Sequence, residues 1–126
     1  MTLAGREPSA GLTSPALAAA EHITQGRRAL EAAAFGEALH HFGEALSLHP
    51  EARWAWHGRG DALQLSGEHA AAQHAYERAI HIDPDCGLHH AGQANALGAQ
   101  AQADAAEVAW ATALRLDPTL QWMREG

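Results

Sequence analysis

The chain is expected to fold as an all-α solenoid of helix-turn-helix units, and three observations lead there. Three segments end alike, Ala45-Leu46-Ser47-Leu48-His49-Pro50, Ala79-Ile80-His81-Ile82-Asp83-Pro84 and Ala113-Leu114-Arg115-Leu116-Asp117-Pro118, with the three prolines evenly spaced. Inside each unit the same period holds: Gly26, Ala38, Phe42, Ala45 and Pro50 recur as Gly60, Ala72, Tyr76, Ala79 and Pro84, then as Ala94, Ala106, Trp110, Ala113 and Pro118. Composition agrees, since 47% apolar residues with only 6% aromatics calls for a core of small side chains between closely packed helices.

Each column has a physical reason. A small residue on the first helix, facing two alanines seven apart on the second, lets antiparallel helices approach closely. The aromatic fills the space between units. Proline has no amide hydrogen and pushes the preceding residue out of the α region, so it stops each second helix.

These residues resemble the tetratricopeptide repeat family, whose 34-residue helix-turn-helix unit carries small, small, aromatic, small and proline at this spacing. The resemblance covers about residues 19–118 and implies a right-handed superhelix whose concave surface is lined by the first helix of each unit. The second unit is the most typical and the third the least. The large aromatic usual near the start of the first helix is Trp56 in the second unit but His22 and His90 in the others, and the glycine common at the internal turn is Gly67 there but Ala33 and Ala101 elsewhere.

In order along the chain, residues 1–14 read as a flexible tail, rich in Gly, Pro, Ser and Thr. Ser14-Pro15 then looks like a cap followed by proline in the first helical turn. A single domain spans 15–126, with repeats at about 19–52, 53–86 and 87–120, and helices are expected near 15–32, 36–48, 53–66, 70–82, 87–100 and 103–116. The remaining segment, 119–126, allows one or two turns. With Leu120, Trp122 and Met123 apolar, it is expected to fold back over the helix near 103–116 and shield it; otherwise that face stays open to another chain.

Composition also bounds function. A formal charge of −7, with eight arginines, no lysine and no basic cluster beyond Arg27-Arg28, argues against nucleic acid as a ligand. No apolar run is long enough to span a membrane and residues 1–15 do not resemble a secretory signal, so a soluble cytoplasmic protein is expected. The absence of lysine beside abundant alanine, glycine and arginine suggests a GC-rich genome and hence a bacterial source.

No catalytic constellation is legible, and an enzyme is not expected. The ten histidines include the neighbours His40-His41 and His89-His90, which diverge by about 100° on a helix, and no pair at i,i+4. They read as solvated surface residues. Cys86 is a lone thiol that can form neither an internal disulfide nor a cysteine-based metal site, so no metal or cofactor is expected. Asp83 and Asp117 precede the repeat prolines as turn residues, and Asp85 is expected to help start the next helix as a cap or first-turn acid.

The concave surface remains. If Gly26, Gly60 and Ala94 point into their helix pairs, the positions six before, three before and one after them lie on a more exposed strip. Those are Ala20, Ile23 and Arg27; Trp54, His57 and Asp61; and Leu88, Ala91 and Asn95. They stack in register as a polar row, Arg27–Asp61–Asn95, and an apolar row, Ala20–Trp54–Leu88, which Trp122 extends if the segment continues the array. Tryptophan would anchor an apolar side chain of a partner protein, a peptide or helical segment, while the polar row fixes its orientation. Alternatively, Arg27 and Asp61 simply pair across units and Trp54 packs between helices. Family members that grip a chaperone's C-terminal carboxylate use several basic or amide residues here. Only Arg27 and Asn95 qualify, with Asp61 between them, which disfavours that ligand. A small adaptor or assembly factor is the expected function; a scaffold that self-assembles into a homo-oligomer through its third repeat is the alternative.

Overall fold

The computed structural model describes residues 14–125 and consists of paired antiparallel helices, without strands among those residues. The helices are α1 (Pro15–Glu31), α2 (Phe35–Leu48), α3 (Arg53–Leu65), α4 (His69–Ile82), α5 (Gly87–Ala99) and α6 (Ala103–Leu116), followed by a 3-10 turn, Pro118–Leu120, and a short α7 (Gln121–Glu125). The expected tail lies, apart from Ser14, outside the described residues. Ser14 does cap α1, its side chain accepting a hydrogen bond from the Leu17 amide, with Pro15 in the first turn.

Helices pair within units (α1 on α2, α3 on α4, α5 on α6) and stack between them (α2 on α3, α4 on α5). The first helices also touch one another, α1 with α3 and α3 with α5. The three first helices therefore form one continuous surface, the inner side of the array. Ala38, Ala45, Ala72, Ala79 and Ala113 are completely buried at the helix–helix seams, where nothing larger would fit without forcing the helices apart.

The aromatic column works as a wedge between neighbouring units. A Cβ built on Gly26 would lie 2.6 Å from the Phe42 ring, and one on Gly58 of the next unit only 2.3 Å from it. Tyr76 repeats the arrangement one unit on, against Gly60 at 2.7 Å and Gly92 at 2.5 Å. Each ring thus rests on two bare patches of helix backbone. Trp110, buried like the other two, belongs to the last cluster with Ala94, Leu97 and Leu120.

The internal turns obey the period in backbone rather than in residue type. Ala33 (φ 58°), Gly67 (φ 89°) and Ala101 (φ 62°), at the same place in each unit, all adopt the left-handed conformation. It suits glycine and strains alanine. Column identity at the start of the first helices also resolves into a shared contact. Trp56 Nε1 donates to the Pro50 carbonyl at 3.0 Å, and His90 Nε2 lies 2.8 Å from the Pro84 carbonyl, tying each unit to the proline that ended the one before. In the first unit His22 has no preceding repeat proline to meet, and its Nδ1 lies 3.2 Å from His41 Nδ1.

Asp117 caps the final turn, accepting from the Thr119 amide at 3.0 Å. Asp85 plays no such part: the N-cap of α5 is Cys86, without a side-chain capping bond, because the turn places Asp85 one residue too early and exposed. Gln121, where α7 begins, occupies the same repeat position as Gly87 and Arg53, the first residues of α5 and α3. The C-terminal segment is therefore the opening turn of a fourth first helix. Leu120 is buried against the third unit and Met123 packs beside it, while Trp122 stays 67% exposed. No helix among the described residues is long and apolar enough to cross a membrane.

Candidate functional site

Trp54, on the first turn of α3, divides two depressions on the surface made by the first helices. One, of about 270 Å³, is lined by Arg27, Leu30 and Glu31 of α1, Trp54, His57, Gly58 and Asp61 of α3, and Leu88 of α5. The other, of about 190 Å³, lies towards the start of α1 and includes Ala20, Ile23, Ala52 and Trp54. Of the residues placed on the inner strip from sequence, Arg27, Trp54, His57, Asp61 and Leu88 meet in the first depression, and Ile23 lines the second while packing into the core beneath. Ala91 is not on the exposed strip but completely buried in the core of the third unit. Asn95 lies outside both depressions, exposed, with its backbone carbonyl 3.4 Å from Gln64 Nε2. Trp122, although in register with Trp54 and Leu88, also lies outside them.

From His57 and Asp61 on the floor of the first depression, a chain of polar groups runs into the protein. Tyr76 Oη donates to Asp61 Oδ1 at 2.6 Å. His57 Nε2 stands 3.6 Å from Asp61 Oδ2, one helical turn away on α3. On its other side, His57 Nδ1 lies 3.0 Å from Nδ1 of His89 on α5. The Trp54 ring covers this pair, with ring centroids 5.4 Å from His57 and 4.9 Å from His89.

Asp61 is thus engaged by Tyr76 and His57 and forms no ion pair with Arg27, contrary to the simple cross-unit pairing that sequence allowed. The Arg27 side chain is exposed at the rim. Its charge still reaches the floor, where it opposes protonation of His57 and favours ionised Asp61. Burial dominates at each group. It pushes the His57 and His89 imidazoles down to about 4, so both rings are neutral at pH 7, and it raises the carboxyl of Asp61 and the phenol of Tyr76. The site therefore offers a neutral aromatic and imidazole platform with the Asp61 carboxyl group beneath it and Arg27 and Glu31 at its edge.

The expectation that all ten histidines are solvated is wrong for His89, which is fully buried, and for His57, largely covered by Trp54, Tyr76 and His89. Judging neighbours within one helix missed them because they meet across two units. A signal was present: His89 occupies the column held by Ala55 in the second unit, a completely buried position.

Comparison with known proteins bears on the fold. The sequence model of the tetratricopeptide repeat matches residues 29–96, more than half of the chain. A search of curated protein sequences finds no significant match. Among solved structures, the first TPR domain of Spaghetti (RPAP3), bound to the HSP90 peptide SRMEEVD, superposes with a TM-score of 0.80 at 16% identity, covering 82% of each chain. The TPR domain of Arabidopsis OM64 gives 0.81 at 18% identity over 84% of this chain and 88% of its own. The TPR2B domain of yeast Sti1 in its complex with pHsp70 gives 0.77 at 20% identity over 82% of each chain. At such identities the likeness speaks for the fold alone.

Proposed function

The chain belongs to the tetratricopeptide repeat family, and we propose that it is a protein-interaction module, a small adaptor or assembly factor, which holds a segment of a partner protein along its inner surface. The observation that carries this reading is the depression shared by all three units, with Arg27 and Glu31 from the first, Trp54, His57 and Asp61 from the second and Leu88 from the third. A groove lined by several units reads an extended or helical segment, since each unit meets successive residues of the ligand. Trp54 and Leu88 form an apolar seat beside the neutral His57 imidazole, suited to one large apolar side chain.

The peptides bound by two of the structural neighbours are a natural comparison, and charge separates this site from the SRMEEVD ligand of Spaghetti. Around the depression one arginine faces Glu31 and Asp61, and the chain carries −7 overall, so an acidic peptide tail meets repulsion. The ligand proposed here has an apolar anchor and neutral or basic flanks.

Selection of binding peptides from a random display library, followed by titration calorimetry, tests the reading. Selected peptides should carry a large apolar residue between neutral or basic flanks and should not be displaced by SRMEEVD. They should lose on the order of thirtyfold in affinity with Trp54→Ala, the usual effect of truncating a buried anchor. His74→Ala, on the outer helix α4, should change binding by less than about twofold. Peptides that ignore Trp54→Ala in a folded protein, or depend on His74, would move the site to the convex face.

Self-assembly is a second reading, favoured by Trp122 standing exposed on α7. Light scattering over a concentration series reads it directly: a Trp122→Ala-sensitive oligomer supports it and a monomer throughout removes it.

A further inference from the structure

We propose that Asp83, Cys86 and His89 form a binding site for a divalent transition-metal ion of the zinc class. The three residues straddle the turn from α4 to α5, Asp83 as the C-cap of one helix and Cys86 as the N-cap of the next. A carboxylate oxygen, the thiol sulfur and an imidazole nitrogen all lie within 4.8 Å of one another. That is wider than the roughly 3.3–3.8 Å between donors on a tetrahedral ion. Asp83 and Cys86 are only partly buried, which leaves their side chains room to rotate towards an ion.

A three-donor cluster alone would carry little; the second observation is His89 itself. The ring is fully buried, and its Nε2 has no hydrogen-bond partner. The contacts around it favour one placement of its hydrogen. His57 Nε2 faces the Asp61 carboxylate, which favours the hydrogen on that nitrogen and leaves His57 Nδ1 a lone pair. With that tautomer, His89 Nδ1 donates across the 3.0 Å contact to His57 Nδ1. What remains on His89 Nε2 is a bare, buried lone pair, the state of a metal-ligating imidazole oriented through its other nitrogen.

The period supplies an independent argument. The turn occurs three times with the same backbone bonds, Ala52 N to His49 O, Cys86 N to Asp83 O and Leu120 N to Asp117 O. The triplet is His49, Ala52 and Ala55 at the first junction and Asp117, Leu120 and Met123 at the third. The fold therefore needs neither a thiol nor an imidazole there, and burying a ring nitrogen without a partner is costly. Only the second junction gathers sulfur, nitrogen and oxygen donors.

This set matches a borderline-soft ion. Cys86 ligates as the thiolate, its proton passing to solvent, and with Asp83 it balances the charge of a divalent cation. Arg53 Nε holds Asp83 Oδ2 at 3.2 Å, which leaves the carboxylate its other oxygen. Water or a partner's side chain completes a tetrahedral shell. The site is separate from the groove reading, although His89 lies directly beneath Trp54.

Cobalt(II) titration of the untagged, chelator-stripped chain tests the proposal, followed by displacement with Zn²⁺. One equivalent should bind with a thiolate-to-cobalt charge-transfer band in the near ultraviolet, and Cys86→Ser should abolish that band. His89→Ala, which restores the alanine of the preceding repeat and should preserve folding, should weaken binding on the order of a hundredfold; His41→Ala should not. Should His89→Ala fail to fold, Asp83→Ala on the partly exposed turn provides the same reading. Absence of the thiolate band, or undiminished affinity in the folded His89→Ala or Asp83→Ala protein, overturns the site.

Discussion

The Tyr76 hydroxyl and the Asp61 carboxylate meet at 2.6 Å, joining the wedge between the second and third units to the floor of the inner depression. One aromatic side chain therefore serves both structure and site, its ring lying on Gly60 and Gly92 and its oxygen orienting Asp61. Tyr76→Phe keeps the ring but leaves a covered carboxylate short of a donor, and should cost about 1–3 kcal/mol in urea unfolding. A smaller loss than about 0.5 kcal/mol would mean that water or His57 replaces the hydroxyl.

Asp61 gives a pH signature. Its carboxyl is raised above the ordinary 3.8, chiefly by burial and against the opposing pull of Tyr76 and Arg27. The folded state then holds the proton more tightly than the unfolded chain, so wild type should gain stability relative to Asp61→Asn as pH falls through the folded value, the gain being complete below 3.8. Paired urea melts of the two proteins between pH 7 and pH 4 measure it. A difference that grows in the opposite direction would show that the hydrogen bond outweighs burial.

The glycine seats of the wedges should be intolerant. Gly58→Ala would place a methyl 2.3 Å from Phe42 and Gly92→Ala one 2.5 Å from Tyr76, so each should lose about 1–3 kcal/mol. Gly43→Ala, inside α2 with nothing within 4 Å of the added carbon, should instead gain about 0.5–1 kcal/mol. Opposite signs for these variants in denaturant midpoints are the expected outcome.

Turn strain predicts the reverse preference at Ala33 and Ala101. Both hold positive φ, so Ala33→Gly and Ala101→Gly should each stabilise by about 0.5–1 kcal/mol, while Gly67→Ala should destabilise by a similar amount. Thermal melts of the three single variants suffice to check the pattern.

Leu120 is the main apolar contact by which the last segment closes the third unit. Leu120→Ala should cost about 2 kcal/mol or more and speed hydrogen exchange in α6 more than in α4, because stability in a stacked array passes between neighbours. Equal acceleration in both helices would mean that the array unfolds as one body.

The helices, their order and the stacking of units were legible in the chain because each depends on local pattern. Pro50, Pro84 and Pro118 stop second helices wherever they occur, and the alanine seams are needed at every repeat. Columns of identical function announce themselves by their fixed spacing. The wedge was legible in part: Phe42 and Tyr76 were expected between units, whereas Gly58 and Gly92, themselves one period apart, were not recognised as their seats.

Five of the inner-strip residues, Arg27, Trp54, His57, Asp61 and Leu88, gather in one depression, as helical facing alone allows. Sequence could not say that Asp61 turns to Tyr76, that His57 meets His89, or that His89 is buried with an unpartnered Nε2 and gathers with Cys86 and Asp83. Those relations join residues that share no column, at distances set by how far each unit tilts on the last. A repeating sequence determines which residues face inward, since that follows from helical pitch and hydrophobic burial. The tertiary stacking alone decides which polar atoms come within hydrogen-bonding reach, because a shift of about an ångström between units makes or breaks such a contact while leaving the apolar seams intact.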